Sequence, residues 1–288
     1  MSSDNKNRLE FGVRIADGEK ESYIYLAGIK PSKPILLGEG VSLIPASCSP
    51  TPDDMIDAVM KKGSQSEFEL GILIATLRNT TAQIKIEDTN SRNLAIKTWN
   101  AQTFCVLISA ILKCEISYYF QADTSLEKFN GNSNINMIYP NMYKFPNCIK
   151  YLDDNMCSWI EKSIMTAWEL HEDERFSTAS HALWSYKWSV RPALQLSIVW
   201  SGIESMFLIE TKIRTRLSKA ISRFLYNNDT AVEDIKKLYA FRSKAVHEYK
   251  NSEHNVLEES VDILNKLILK CIEQKALPDL GILLNSTD

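Results

Sequence analysis

The second half of the chain is a series of predicted helices, and this pattern constrains the fold more than any other feature of the 288 residues. From about residue 150 onward, apolar residues recur at helical spacing, and short polar stretches separate the segments. Helices are predicted over 153–169, 177–210 with a break near Pro192, 212–226, 230–251 and 255–274. Helices of this length joined by short loops favour an antiparallel bundle over residues 151–288.

The first half mixes strand and helix patterns. Strands are predicted over 10–15, 23–26 and 115–120, with a turn at 16–18. Helices are predicted from residue 51 onward, over 66–83 and over 91–112. The segment 121–148 is crowded with Asn, Gly and Pro, which predicts a long loop or linker and therefore a domain boundary. We therefore expect an α+β protein, in which a mixed α/β accessory or sensing region (residues 1–150) precedes the all-α bundle.

Composition narrows the possible functions. The net charge is -3 and the pI is about 5.9, whereas a protein that binds nucleic acid through overall charge is usually basic. Any RNA contact is therefore expected to be local. The six cysteines form no C-x-x-C pair, and no Cys/His group has the spacing of zinc ligands, so we expect reduced thiols and no metal site. The sequence also has none of the glycine-rich motifs that bind nucleotide cofactors, and no cofactor is expected.

The sequence predicts a cytoplasmic protein without a membrane segment. The N-terminus is polar and lacks the apolar core of a signal peptide. The most apolar stretch, 101–112, is too short to cross a bilayer.

The segment Arg242-Ser243-Lys244-Ala245-Val246-His247 carries the residues best suited to chemistry. On a helical wheel, Arg242 falls among apolar residues, in the middle of the face formed by Ile235, Leu238, Tyr239 and Val246. A guanidinium in that position needs an anion, either a carboxylate of the fold or a phosphate in a cleft. His247 lies ~140° away around the helix, so both residues can line one groove only at a cleft edge or an interface.

This pair suits phosphodiester cleavage in RNA. Arg242 would bind the phosphate and stabilise its growing charge, and His247 would act as general base or general acid. The 2′-hydroxyl that this chemistry requires restricts it to RNA. The alternative is structural: Arg242 is one member of a buried ion pair, and His247 is a cation favoured by the C-terminal end of the helix dipole.

The stretch 238–247 resembles the signature of HEPN domains, and it is most similar to the Apea-like branch of that superfamily. The upstream stretch 199–207 resembles the earlier helix of that branch, with Glu204 in the corresponding setting, and the resemblance covers about residues 150–280. It implies a metal-independent endoribonuclease that works as a homodimer, with the two motif helices forming a composite cleft. Arg242 and His247 match the essential positions. Ser243 stands where many active members carry Asn, Asp or His, and its hydroxyl can still bind phosphate.

Supporting residues are also predicted. Glu204 is expected either to orient Arg242 or His247, or to pair with a neighbouring helix as a structural carboxylate. Candidates for RNA-backbone binding are Lys212, Arg216, Lys219, Arg223 and Lys244. The first four share one face of a helix and can equally be the solvated face of an amphipathic element.

Three hypotheses for the function follow. The first is a toxin-like or anti-phage defence ribonuclease, restrained by the N-terminal region or by an antitoxin or regulatory protein until a signal releases it. The second is a non-catalytic HEPN adaptor that dimerises and binds RNA or nucleotides. The third is a structural bundle in which the motif is coincidental.

Overall fold

The computed structural model describes residues 12–61, 67–138, 144–248 and 254–284, with the side chains at 68–69, 244–248 and 254 outside that description. The fold is α+β, as the sequence predicts: an antiparallel sheet dominates the first part and helices the second. Contacts divide the chain into two compact units. The first contains Met1–Cys105 and Cys114–Met165, and the second contains Val106–Lys113 and Thr166–Asp288.

The first unit is built on a six-stranded antiparallel sheet of order β3-β4-β5-β1-β6-β7. Its strands are β1 (Glu21–Ala27), β3 (Ile35–Gly38), β4 (Val41–Pro45), β5 (Ala82–Glu87), β6 (Ser117–Ala122) and β7 (Ile135–Met137). The central strand β1 pairs with β5 in the register Glu21↔Glu87 to Leu26↔Ala82, and six of its seven residues are buried. Two short strands, β2 (Ile29–Pro31) and β8 (Lys150–Leu152), form a separate parallel pair.

Helices complete the first unit. They are α1 (Pro52–Lys61), α2 (Glu67–Asn79), most of α3 (Ser91–Leu112) and the start of α4 (Asp154–His171). Side chains of α1 and α2 pack with β1, β6 and β7 around Tyr25 and Phe120. Within the described residues, α3 alone is long and apolar enough to cross a membrane, and 61% of its apolar window is buried inside the protein, as in a core helix.

Two predictions for this unit need correction, and residues 10, 11 and 139–143 of the two segments lie outside the described residues. Residues 12–15 form no strand, and the Gly12 N–H donates instead to the Met137 carbonyl. The segment 121–148 is not a simple linker, because it contains the end of β6, a 3-10 turn at Leu126–Lys128 and β7. Asp123 closes this stretch by accepting hydrogen bonds from the Asn134 backbone and side-chain amides at 3.0 and 2.8 Å. The abundant Asn and Gly residues of this segment therefore belong to a folded loop.

The second unit is helical. Its main elements are α5 (Glu174–Ser185), α6 (Pro192–Phe207), α7 (Ile213–Tyr226), α8 (Val232–Glu248), α9 (His254–Gln274) and α10 (Leu280–Leu283). Pro192 starts α6, where the sequence predicts a break. Gly202 lets α6 pack closely, because a Cβ there would lie 2.6 Å from Ala182 Cβ on α5 and 3.0 Å from Leu264 Cδ2 on α9.

Side-chain hydrogen bonds hold the turn that precedes α8. The helix begins at Val232, and the Thr230 backbone N–H donates to the Asn228 side-chain oxygen at 2.9 Å. The Thr230 hydroxyl bonds to that same oxygen, so it is engaged before the helix starts. The Asn228 side chain thus organises the turn that leads into α8.

Candidate functional site

Trp200 on α6 and Tyr239 on α8 set how these two helices meet. Their rings lie edge to face, with centroids 5.2 Å apart and planes at 88°. Trp200 is fully buried, and its indole N–H donates to Ser260 Oγ on α9 at 3.1 Å. The Ser260 hydroxyl in turn donates to the Val256 carbonyl at 2.7 Å. The tryptophan ring is therefore held by a third helix, and it supports the ring of Tyr239.

One helical turn further along both helices, Arg242 meets Glu204. Arg242 Nη2 lies 3.4 Å from Glu204 Oε2, and 25% and 29% of the two side chains are exposed. The carboxylate supplies the anion that an arginine on the inner face of α8 requires. The contact is long and involves one nitrogen, whereas a strong arginine–carboxylate pair forms two short parallel hydrogen bonds. Arg242 is therefore oriented by Glu204 without being fully neutralised by it.

Both members of the pair keep unused hydrogen-bonding capacity. Arg242 Nε and Glu204 Oε1 are buried atoms, and neither has a hydrogen-bond partner within the part of the chain that the structure describes. Buried polar atoms are normally hydrogen-bonded, and exceptions concentrate at functional sites. This cluster can therefore accept a further polar group.

Tyr239 is the third member of the cluster, and sequence reasoning placed it only on the apolar face of α8. The guanidinium carbon of Arg242 lies 5.6 Å from the centre of the Tyr239 ring, within the range of a cation–π contact. Burial raises the pKa of the Tyr239 phenol, and the Glu204 charge and a hydrogen bond with the Glu204 side chain raise it further, while Arg242 opposes that shift. A tyrosine three positions before an arginine on the same helix face is the signal that points to this residue.

The other motif residues are described in part. Ser243 follows Arg242 within α8 and is half-buried. His247 and Lys244 lie within the same helix, but their side chains fall outside the described residues. The described part of the site therefore consists of Arg242, Glu204 and Tyr239.

The basic residues of α7 differ in their surroundings. Lys212 precedes the helix and is exposed, and Lys219 is half-buried. Arg216 Nη1 lies 3.3 Å from Thr211 Oγ1.

All three guanidinium nitrogens of Arg223 are bound within the protein. Two contact the Asp229 carboxylate at 2.6 and 3.0 Å, and the third donates to the Leu283 carbonyl at 2.8 Å. Arg223 thereby links the end of α7 to the turn before α8 and to α10.

The second unit also contains a pair of histidines away from α8. The rings of His171 on α4 and His181 on α5 have centroids 5.6 Å apart. Burial lowers the pKa of both, and the proximity of His181 lowers that of His171 further. In the described ranges, His, Cys, Asp and Glu side chains do not gather in groups of three or more that could hold a metal ion.

No family model, curated protein or solved structure matches this chain. The structure is that of an α+β protein whose second unit is helical. Within that unit, the feature best suited to chemistry is the half-exposed cluster of Glu204, Tyr239 and Arg242 between α6 and α8.

Proposed function

We propose that the C-terminal helices form a HEPN-type domain that cleaves RNA as a metal-independent endoribonuclease. The observation that carries this proposal is the state of Arg242. Its guanidinium is oriented by one long contact to Glu204 and by the Tyr239 ring, and a quarter of the side chain remains exposed. A planar cation held in this way can bind two oxygens of a phosphate.

The proposed reaction is transfer of the phosphodiester to the neighbouring ribose oxygen. His247 removes the proton of the 2′-hydroxyl, and that oxygen attacks the phosphorus. The bond from phosphorus to the 5′-oxygen breaks, and the leaving oxygen takes up a proton, so the products carry a 2′,3′-cyclic phosphate and a 5′-hydroxyl. Arg242 stabilises the charge that grows on the phosphate oxygens, and the Ser243 hydroxyl is proposed to donate to one of them. Before the phosphate binds, Glu204 holds the guanidinium in place.

Electrostatic contacts to the RNA backbone are proposed for four cations: Lys212, Arg216, Lys219 and Lys244. Lys212 fits this role best, because it is exposed where α7 begins. Arg223 is better suited to holding the end of α7, since its nitrogens are bound to Asp229 and Leu283.

The biological setting that we propose is a cytoplasmic, toxin-like or anti-phage defence nuclease. We propose that it forms a homodimer through the helical unit, and that an antitoxin or regulatory protein restrains it. This setting follows from the resemblance of 199–207 and 238–247 to HEPN domains. Sedimentation analysis tests the dimer directly, and a monomer at micromolar concentration would contradict that part of the proposal.

The activity is tested with purified protein, RNA and EDTA. We expect the wild type to cut RNA, and Arg242→Ala and His247→Ala to abolish cutting. Arg242→Lys keeps the charge but loses the planar fork, so we expect a loss of about 10- to 100-fold in kcat/KM. Arg92→Ala is the matched control, because Arg92 is an exposed arginine of the first unit. It is expected to cut at the wild-type rate.

The same experiment separates the alternatives. If the wild type binds RNA without cutting it, and only Arg242→Ala weakens binding, the protein is the non-catalytic adaptor. If both alanine variants fold and behave as the wild type in binding and cleavage, the motif is coincidental.

A further inference from the structure

We propose that Tyr239 is a positioning residue of this site, whose phenol O–H holds the Glu204 carboxylate as a hydrogen-bond donor when a phosphate binds the Arg242 guanidinium. The inference rests on the proposed function, because it assigns Arg242 to a phosphate. It gives a polar role to Tyr239, which the sequence pattern puts on the apolar face of α8.

The need for such a donor follows from the geometry of the ion pair. Glu204 has one contact to Arg242, at 3.4 Å, and its second oxygen is buried without a donor in the described chain. A phosphate that takes the guanidinium competes for that contact and brings a second negative charge next to the carboxylate. A half-buried carboxylate that loses its partner is unfavourable, and it also repels the incoming phosphate.

A neutral donor resolves this conflict, and the Tyr239 phenol is in the right place to be one. The Tyr239 ring lies against the guanidinium that contacts Glu204, which brings the phenol near the carboxylate. Burial raises the pKa of the phenol, and the charge of Glu204 and a hydrogen bond with its side chain raise it further. The phenol therefore stays protonated at neutral pH. An O–H group can bind the carboxylate without adding charge that would compete with Arg242 for the phosphate.

The position of the phenol does not depend on the ion pair. The Tyr239 ring packs edge to face on Trp200, which is fully buried and hydrogen-bonded to Ser260. The donor is thus placed in advance by the core between α6, α8 and α9. Replacing Tyr239 by Phe keeps both ring contacts and removes only the O–H.

The test is a double-variant cycle on binding. The probes are an RNA oligonucleotide with 2′-O-methyl groups throughout, which lacks the attacking hydroxyl, and inorganic phosphate as its competitor. We expect Tyr239→Phe to weaken binding of the oligonucleotide about three- to tenfold, as loss of a hydrogen bond to a charged group predicts. In a Glu204→Gln background, where the charge is absent, the same change should alter binding by less than about twofold. Tyr226→Phe, on an exposed tyrosine of α7, is the control and should bind as the wild type.

Two results overturn the inference. The first is wild-type affinity of Tyr239→Phe for the oligonucleotide. The second is a loss of affinity on Tyr239→Phe that is equally large with Glu204 and with Gln at position 204. The second result also covers a general weakening of the fold, because that effect would appear in both backgrounds. Binding that is unaffected by Arg242→Ala contradicts the proposed function itself. Weakening by Arg242→Ala without an effect of Tyr239→Phe contradicts only the role of Tyr239.

Discussion

Gly202 and Glu204 lie on opposite sides of α6, about 160° apart around the helix. The missing side chain of Gly202 allows contact with Ala182 and Leu264, while Glu204 meets Arg242 on α8. The closeness of α6 to α5 and α9 therefore fixes the position from which the carboxylate reaches the arginine. Packing on one side of this helix is linked to site geometry on the other.

Gly202→Ala is expected to destabilise the protein and to displace this site. The added methyl would lie 2.6 Å from Ala182 Cβ, which cannot rotate away, so the helices must separate. Overpacking of this kind costs about 1–3 kcal/mol in the free energy of unfolding. Urea denaturation measures the loss, and RNA cleavage should fall with it.

The matched control is Gly71→Ala on α2. Among the described residues, a Cβ at Gly71 meets nothing within 4 Å, and alanine is the better helix former, so stability should stay equal or rise by about 0.5–1 kcal/mol. A Gly202→Ala variant as stable as the wild type would contradict the close packing of α6.

Ser260→Ala tests the support of the Trp200 ring. The variant leaves the buried indole N–H without its acceptor, so we expect a loss of about 1–2 kcal/mol in the free energy of unfolding. Ser218→Ala is the control: that buried hydroxyl also donates to the carbonyl four residues earlier, at 2.7 Å, but within the described residues it accepts no hydrogen bond from a tryptophan. We expect it to change stability by less than about 0.5 kcal/mol. Equal losses in the two variants would show that the indole hydrogen bond contributes nothing.

Acidification is expected to destabilise the protein through His171 and His181. Both have pKa values lowered by burial, so the unfolded chain binds more protons than the folded one as the pH falls past the ordinary histidine value near 6.5. The free energy of unfolding should therefore decrease between about pH 7.5 and 5.5 and be nearly flat above that range. Chemical denaturation at a series of pH values measures the slope. The double variant His171→Gln, His181→Gln should flatten it, and an unchanged slope would assign the effect to other groups.

Lys212 and Arg223 are expected to have separable roles. Lys212→Gln should reduce RNA affinity and lower the dependence of log affinity on log salt by about 1, with stability unchanged, because Lys212 is an exposed cation.

Arg223→Gln should lower the free energy of unfolding by about 1 kcal/mol, because it removes the contacts to Asp229 and to Leu283. Filter binding at several salt concentrations and denaturation measure the two effects. If Arg223→Gln changes only the salt dependence, its main partner is RNA.

Much of the helical architecture could be predicted from periodicity. The patterns at 91–112 and 212–226 correspond closely to α3 and α7, and Pro192 starts α6 after the expected break. Periodicity succeeds for α7 because that helix buries one stripe of its own residues. The helix α3 is recognised instead by its long apolar run, since residues 104–112 are buried on every side. Periodicity fails over 121–148, where the same Asn and Gly residues suit either a linker or a folded loop. The deciding contact, between Asp123 and Asn134, is not visible in the local pattern.

The site could be predicted in part. The helical wheel places Arg242 on the apolar face of α8, where its guanidinium requires an anion. In the structure that anion is Glu204. Tyr239 was missed as a polar group because its ring counts as apolar in such a pattern. Its position beside Glu204 depends on the packing of α8 against Trp200, which is a tertiary contact.

The chemical nature of the RNA ends tests the central claim most directly. In EDTA, the wild type is predicted to leave a 2′,3′-cyclic phosphate and a 5′-hydroxyl at each cut, while Arg242→Ala and His247→Ala leave the RNA intact. An oligonucleotide with a single 2′-deoxy sugar at the cut position is predicted to resist cleavage there. Ends that carry a 3′-hydroxyl, or continued cutting at the deoxy position, would contradict the account.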